Sequence, residues 1–146
     1  MIAVDTNILV YAHRADSPWH RSAAACLKAL AEARSTWGIP WPCLHEFLAI
    51  ATHARIYAPP SSLVKAVDQV EAWLESPSLT VLGESDDHWS ALRSLALAGK
   101  IAGPAIHDAR IAAICLHNGI GELFSCDRDF SRFGRLKTVN PLQKSR

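Results

Sequence analysis

The chain begins Met1-Ile2-Ala3-Val4-Asp5-Thr6-Asn7, and this stretch decides how the rest is read. Ile2-Ala3-Val4 is a short apolar run that stops at a carboxylate, which predicts a first strand ending at Asp5. A helix from about Asn7 to Arg14 follows. The same alternation continues outward. Asp16-Ser17-Pro18 reads as a helix start, with Ser17 as cap and Pro18 in the first turn, leading through Ala23, Leu27 and Leu30 to about Arg34. Thr36-Trp37-Gly38-Ile39 reads as a short strand. Pro42 opens a helix over Cys43–His53 that carries Glu46. Pro59-Pro60-Ser61 stops one element and caps the next, whose apolar stripe is Leu63, Val67, Val70 and Leu74.

Further on, Leu79–Leu82 predicts a buried strand, and Ser85-Asp86-Asp87 caps a helix bearing Trp89, Leu92 and Leu95. Gly99–Gly103 is a break. Pro104 begins a helix that Asn118-Gly119 terminates. Glu122–Ser125 is the next strand, a turn or short helix follows Asp127, and Thr138-Val139 forms a last edge strand. Short strands alternating with helices predict an α/β fold with a mostly parallel central sheet. In such sheets ligands sit beyond the carboxyl ends of the strands. Asp5 and Asp127 both fall at such ends.

The 146 residues leave room for one hydrophobic core of ordinary size. With 49% hydrophobic and 20% charged residues, the chain is neither disordered nor collagen-like. No uncharged apolar run approaches the ~18 residues of a membrane span, and the N-terminus has no signal-peptide pattern. These features predict a cytoplasmic protein without a membrane partner. The formal charge of +1 hides an asymmetry. Arg128, Arg132, Arg135, Lys137, Lys144 and Arg146 outweigh Asp129, an excess of +5 at the C-terminal end that leaves −4 on the remainder. Such an edge suits phosphate groups as well as it suits water. Cys26, Cys43, Cys115 and Cys126 lie 17, 72 and 11 residues apart. Without a C-x-x-C pair they read as small buried hydrophobes and not as a zinc site.

The informative acids are those misplaced for solubility. Asp108 has Ile111, Ala112 and Cys115 at i+3, i+4 and i+7, so it points along an apolar stripe. Glu46 has Cys43, Ala49 and Ile50 on its face. Asp5 and Asp127 directly follow apolar strands. A buried unpaired carboxylate is costly, and four together repel one another unless a cation lies between them. Taken singly, each fits a helix cap or an ion pair with a residue such as Arg110. As a set, they fit a hard divalent cation with oxygen ligands.

Asp5-Thr6-Asn7 after the first strand, Glu46 on a central helix, His107-Asp108-Ala109 on a late helix, and Ser125-Cys126-Asp127-Arg128-Asp129-Phe130 after the next strand resemble the acidic signature of PIN-domain nucleases. Arg132 and Phe133 extend the likeness. Along nearly the whole chain, in order and spacing, the sequence is similar to the VapC-type toxins of type II toxin–antitoxin pairs. The resemblance implies that residues 1–146 form a single PIN-like domain, a three-layer α/β/α sandwich. It implies an endoribonuclease that binds Mg²⁺ or Mn²⁺ and cuts structured RNA such as tRNA or rRNA. It also implies inhibition by a cognate antitoxin, a homodimer, and a heterotetramer or larger assembly with that antitoxin. Asp5, Glu46, Asp108 and Asp127 match the family's acidic positions, Asp129 an often acidic neighbour, and Asn7 and Ser125 positions that support the acids through hydrogen bonds.

The implied chemistry follows from charge. A phosphodiester repels its nucleophile, and metal ions both neutralise it and make hydroxide available near neutral pH. Asp5 and Asp108 are expected as the main ligands, Glu46 as a ligand or the acceptor of the water's proton, and Asp127 as the group that completes the site. Water attack leaves a 5′-phosphate and a 3′-hydroxyl. The competing catalyst is histidine, but His45 and His107 are adjacent in sequence to acids and so point about 100° away on their helices. Arg14, Arg128, Arg132 and Arg135 are candidate RNA contacts, and Trp19 or Trp41 a stacking platform, although core or dimer packing suits the tryptophans better. An antitoxin groove is expected near Trp19–Leu30 and Glu46–Ile56. The alternatives are a non-catalytic RNA- or protein-binding module on the same fold, a phosphatase with Asp5 as nucleophile, and a DNA nuclease. Intact acids argue against the first, and Asn7 in place of a second acid argues against the second.

Overall fold

The computed structural model describes residues 1–142; Lys144 and Arg146 of the basic edge lie outside the described residues. Five short strands form one wholly parallel sheet: β1 Ile2–Val4, β2 Trp37–Pro40, β3 Leu79–Leu82, β4 Glu122–Phe124 and β5 Lys137–Val139. Their order is β3-β2-β1-β4-β5. Six helices flank it: α1 Thr6–His13, α2 His20–Glu32, α3 Trp41–Ala51, α4 Leu63–Leu74, α5 His88–Gly99 and α6 Ile106–His117. The chain steps outward from β1 to β3 and then back across to β4, and crossovers between such parallel strands are right-handed almost without exception. Accordingly α1 packs on α2 and α3, α3 on α4, and α5 on α6. The expected α/β/α sandwich is observed, and its sheet is entirely parallel.

The strand order reverses between β1 and β4, which pair through Ile2–Glu122, Ala3–Leu123 and Val4–Phe124. A crevice opens past the carboxyl ends of such a pair. Asp5 follows β1 there, and Ser125 to Asp127 follow β4. Ala3, Val4, Ile39 and Leu123 are fully buried at the sheet centre, against Ile8, Leu9 and Phe47. Gly38 leaves room for the Leu82 side chain of the neighbouring strand β3, since a Cβ at this position would stand 2.7 Å from Leu82 Cδ1.

Several boundaries differ from those read in the sequence. Ser17 does not cap α2: its hydroxyl accepts from Trp19 N–H within a turn, and the helix begins at His20. Ser62, not Ser61, caps α4 by accepting from Lys65 N–H. Ser61 instead meets His13 and Arg14. α4 packs through Ala66, Val70 and Trp73, with Trp73 edge-on to Phe47, while Leu63, Val67 and Leu74 of the expected stripe are exposed. Ala66 and Trp73 each precede a predicted stripe residue by one position, so the buried face is turned about one residue from the predicted one. Trp89 is likewise exposed. α5 ends on Lys100 in the left-handed region (φ 51), not on a glycine. α6 ends as its sequence predicts: Gly119 (φ 71) donates to Leu116 and Ile120 to Cys115, a Schellman arrangement that closes the helix carbonyls. Among the described residues no helix is long and apolar enough to cross a membrane.

Candidate metal centre

Asp5 is the N-cap of α1 and is 4% exposed. Its Oδ1 accepts from Thr6 N–H at 2.8 Å and from the Cys43 thiol at 3.5 Å. Its Oδ2 accepts from Ser125 hydroxyl at 2.7 Å and from Asn7 Nδ2 at 3.4 Å. Burial pushes the Asp5 carboxyl above its ordinary range, against the pull of these bonds, and the Glu46 charge adds to the rise. Burial and the Asp5 charge hold the Cys43 thiol well above its own ordinary value. Cys43 therefore stays protonated and remains a donor at neutral pH.

A small network links the two strand ends. Asn7 Nδ2 donates to Ser125 Oγ, and Asn7 Oδ1 accepts from Cys126 N–H. Ser125 Oγ accepts in turn from Asp127 N–H. Asp127 then accepts from Asp129 N–H at 2.8 Å, opening the 3-10 turn Arg128–Arg132. Asn7 and Ser125 thus tie the end of β1 to the end of β4, both bonding the Asp5 carboxylate and Ser125 also the Asp127 N–H. Across the crevice, Glu46 is oriented by Thr6, whose hydroxyl donates to Oε2 at 2.8 Å.

Asp108 lies in the first turn of α6 and is half-buried. Ile111, Ala112 and Cys115 on its face are all buried, as the sequence predicts. Burial raises its carboxyl to about 6, and the charges of Asp127, Asp5, Asp129 and Glu46 all push the same way. Thr6 bonds both Asp5 and Glu46, and Ser125 both Asp5 and the Asp127 N–H, so all five acids fall in one region. Carboxylate oxygens of Asp108, Asp127 and Asp129 lie within 4.8 Å of one another. The tight trio includes Asp129, read from the sequence only as a neighbour, while Asp5 and Glu46 stand outside it and are held by hydrogen bonds.

Of these five acids only Asp129 has a cationic partner among the described residues, Arg132 at 3.7 Å. Arg110, the candidate partner for the acids, is bound to Glu84 instead. A half-buried group of like charges offering only hard oxygen donors is the donor set that suits a divalent cation such as Mg²⁺ or Mn²⁺.

The remaining candidates divide. Arg128 lies beside Asp127, and Arg132 beside Asp129. Arg135 is exposed. Arg14 stands apart. Its guanidinium is spent on Asp16, Ser61 and the Pro59 carbonyl, with its carbon 4.3 Å from the Tyr57 ring centroid. His45 and His107 are exposed, His13 joins Gln69 to Ser61, and His20 meets the Tyr11 carbonyl. Burial raises the Cys126 thiol, which leaves it a poor nucleophile. Trp19 and Trp41 are about half-exposed and so do not belong to the core; Trp37 is the buried tryptophan. Sequence reasoning missed Thr6 and Cys43 as partners of Glu46 and Asp5. Each pair is about 40 residues apart in sequence, and no local pattern marks such contacts.

Known proteins point the same way as this geometry. The PIN domain family matches residues 2–136. Ribonuclease VapC43 of Mycobacterium tuberculosis is 39% identical over 142 residues, 97% of this chain and 96% of that protein. Among solved structures, Mycobacterium tuberculosis VapC20, described as a sarcin–ricin loop cleaving toxin, superposes with a TM-score of 0.69 at 18% identity, covering 92% of this chain and 95% of that one. VapBC2 of Rickettsia felis, bound to a DNA fragment from its promoter, gives 0.69 at 20% identity over 95% and 98%.

Proposed function

The chain belongs to the PIN-domain family, among its VapC ribonucleases, and from that premise we propose that it is an endoribonuclease toxin that hydrolyses structured RNA with Mg²⁺ or Mn²⁺. The observation that carries this reading is the convergence of five carboxylates around Asp108, three of them within 4.8 Å, with one arginine among them. Like charges held this close and mostly unpaired repel one another unless a cation lies between them.

Asp108, Asp127 and Asp129 form the trio that would hold the cation, with Asp5, expected from the sequence as a main ligand, beside them. A divalent cation held by these residues would supply charge neutralisation at the phosphodiester and lower the pKa of water near neutral pH. Glu46, held by Thr6, accepts a proton from the attacking water. Asn7 and Ser125 keep Asp5 and Asp127 in register across the crevice. Arg128 and Arg132 contact RNA phosphates, which carry most of the affinity of such complexes. Arg14 does not contribute, because its donors are already engaged.

A cognate antitoxin is the expected partner, since solved neighbours of the fold include toxin–antitoxin complexes. Exposed Trp19, Trp41 and Ile56 supply apolar surface near the helices where the sequence places its groove. Homodimerisation, and a heterotetramer or larger assembly with the antitoxin, belong to the same proposal.

The test incubates antitoxin-free protein with total cellular RNA, with Mg²⁺, with Mn²⁺ or with EDTA, beside Asp108→Asn. Discrete fragments that need both the metal and Asp108 support the proposal. Folded wild type that cuts no RNA under any metal condition sinks it and favours a binding module on the same fold.

A further inference from the structure

A cavity of about 280 Å³ opens beside the acidic centre, between the ends of β4 and β5. It shares Ser125 and Asp127 with that centre, and adds Arg128 and Ser131 from the 3-10 turn, Thr138 from β5 and Asn140 just past it. Its polar groups are turned toward donation. Asn140 Oδ1 accepts from Leu142 N–H at 3.0 Å and from the Cys126 thiol at 3.5 Å. A backbone N–H cannot donate to an amide nitrogen, so these bonds fix the flip of the Asn140 amide. Its NH₂ is left without an acceptor among the described residues. The Thr138 hydroxyl is buried and has no hydrogen-bond partner among those residues, a costly state unless something satisfies it. Arg128 is exposed and makes no ion pair among the described residues, unlike Arg132, which Asp129 engages. The carboxylate at the rim, Asp127, already accepts from Asp129 N–H.

We propose that this cavity is a subsite for a second phosphate of the RNA chain, next to the one cut at the acidic centre. A guanidinium, an oriented amide and two hydroxyls match a group that only accepts hydrogen bonds and carries charge. No aromatic residue lines the cavity, so it lacks the stacking platform that base-binding pockets of single-stranded RNA use. The subsite also answers an electrostatic difficulty. RNA must approach five carboxylates, and a donor-lined pocket that presents the Arg128 guanidinium one step along the chain supplies local attraction. The inference rests on the ribonuclease reading.

The test titrates fluorescein-labelled oligouridylate by anisotropy from about 50 to 300 mM KCl, in an Asp108→Asn background that leaves the RNA intact. Arg128→Gln is expected to weaken binding about tenfold and to flatten the dependence of log Kd on log salt by about 0.7, one phosphate's worth for a single strand. Thr138→Val should weaken binding about threefold to tenfold with the slope unchanged, and Thr138→Ser should restore it. Parent-like affinity and slope in both Arg128→Gln and Thr138→Val overturn the subsite. So does a change of preference among oligouridylate, oligoadenylate and oligocytidylate at constant slope, which would mean that the cavity reads a base. Cleavage of total RNA by wild type is followed in parallel. A wild type that cuts while both variants bind like the parent overturns the subsite alone. A wild type that cuts nothing while the slope changes as expected overturns the nuclease reading alone. Failure of every form to bind RNA overturns both.

Discussion

Asp108→Asn should stabilise the metal-free protein at neutral pH while it abolishes activity. The side chain makes no hydrogen bond or ion pair among the described residues, so the amide loses no contact. It removes a charge that burial and four neighbouring carboxylates oppose. The folded carboxyl titrates at about 6 instead of its ordinary 3.8. Between those values the folded state holds more protons than the unfolded chain, so stability falls as pH rises through this window, and the penalty is complete above it. At about 1.36 kcal/mol per pH unit the full cost would be about 3 kcal/mol, but Asp108 is only half-buried and solvent screens it, which leaves about 1 kcal/mol. For a domain of this size that raises Tm by roughly 2–4 °C. The assay is thermal melting in EDTA from about pH 4.5 to 8. The variant's advantage should be smallest at the acid end, grow as pH rises and reach its plateau above pH 7. A variant no more stable than wild type at pH 8, or an advantage that does not vary with pH, refutes the reasoning.

Saturating Mg²⁺ should stabilise wild type, by about 2.7 kcal/mol at a hundred times Kd, and should leave an Asp108→Asn/Asp127→Asn double variant unmoved in the same melts; equal shifts in both would place the ion elsewhere. Thr6→Val removes the hydroxyl that orients Glu46 and should lower kcat about tenfold with KM within about twofold, while Thr6→Ser restores the rate; an unchanged kcat removes Thr6 from the positioning of Glu46. Arg14→Met breaks contacts with Ser61, Pro59 and Tyr57, so urea melts should show a loss of about 1–2 kcal/mol. The salt dependence of RNA binding should not change, and a flattened slope would return Arg14 to the RNA-contacting surface.

The parts of the fold legible in the sequence are those set by local chemistry. Ile2-Ala3-Val4 ending at Asp5 and the Gly119 stop of α6 each follow from a handful of adjacent residues, as does the strand Leu79–Leu82, although it lies at the sheet edge with only Leu82 buried and not as the buried strand its sequence predicts. The Asp108 face is legible because helical spacing places it over Ile111 and Cys115. Elements whose position depends on a distant partner are not. α4 turns toward Phe47 through Ala66 and Trp73, and no property of its own stripe reveals this. Ser61 and Ser62 have equal capping chemistry, and contacts with His13 and Arg14 decide between them. In the site, the acids are visible because buried charge is anomalous in any sequence. Which of them share one tight group depends on where the turn after β4 points. Asp129 enters that group because its N–H is anchored on Asp127, while Asp5 is drawn away by Ser125, Thr6 and Cys43.

The central claim is that the carboxylates direct water at a phosphodiester. The chemistry of the new RNA ends tests it most directly. Fragments produced by wild type with Mg²⁺ or Mn²⁺ should carry 5′-phosphates, making them substrates for a 5′-phosphate-dependent exonuclease, and should end in free 3′-hydroxyls. Fragments bearing 2′,3′-cyclic phosphates and 5′-hydroxyls would contradict the account, because the ribose hydroxyl, and not water, would then have attacked.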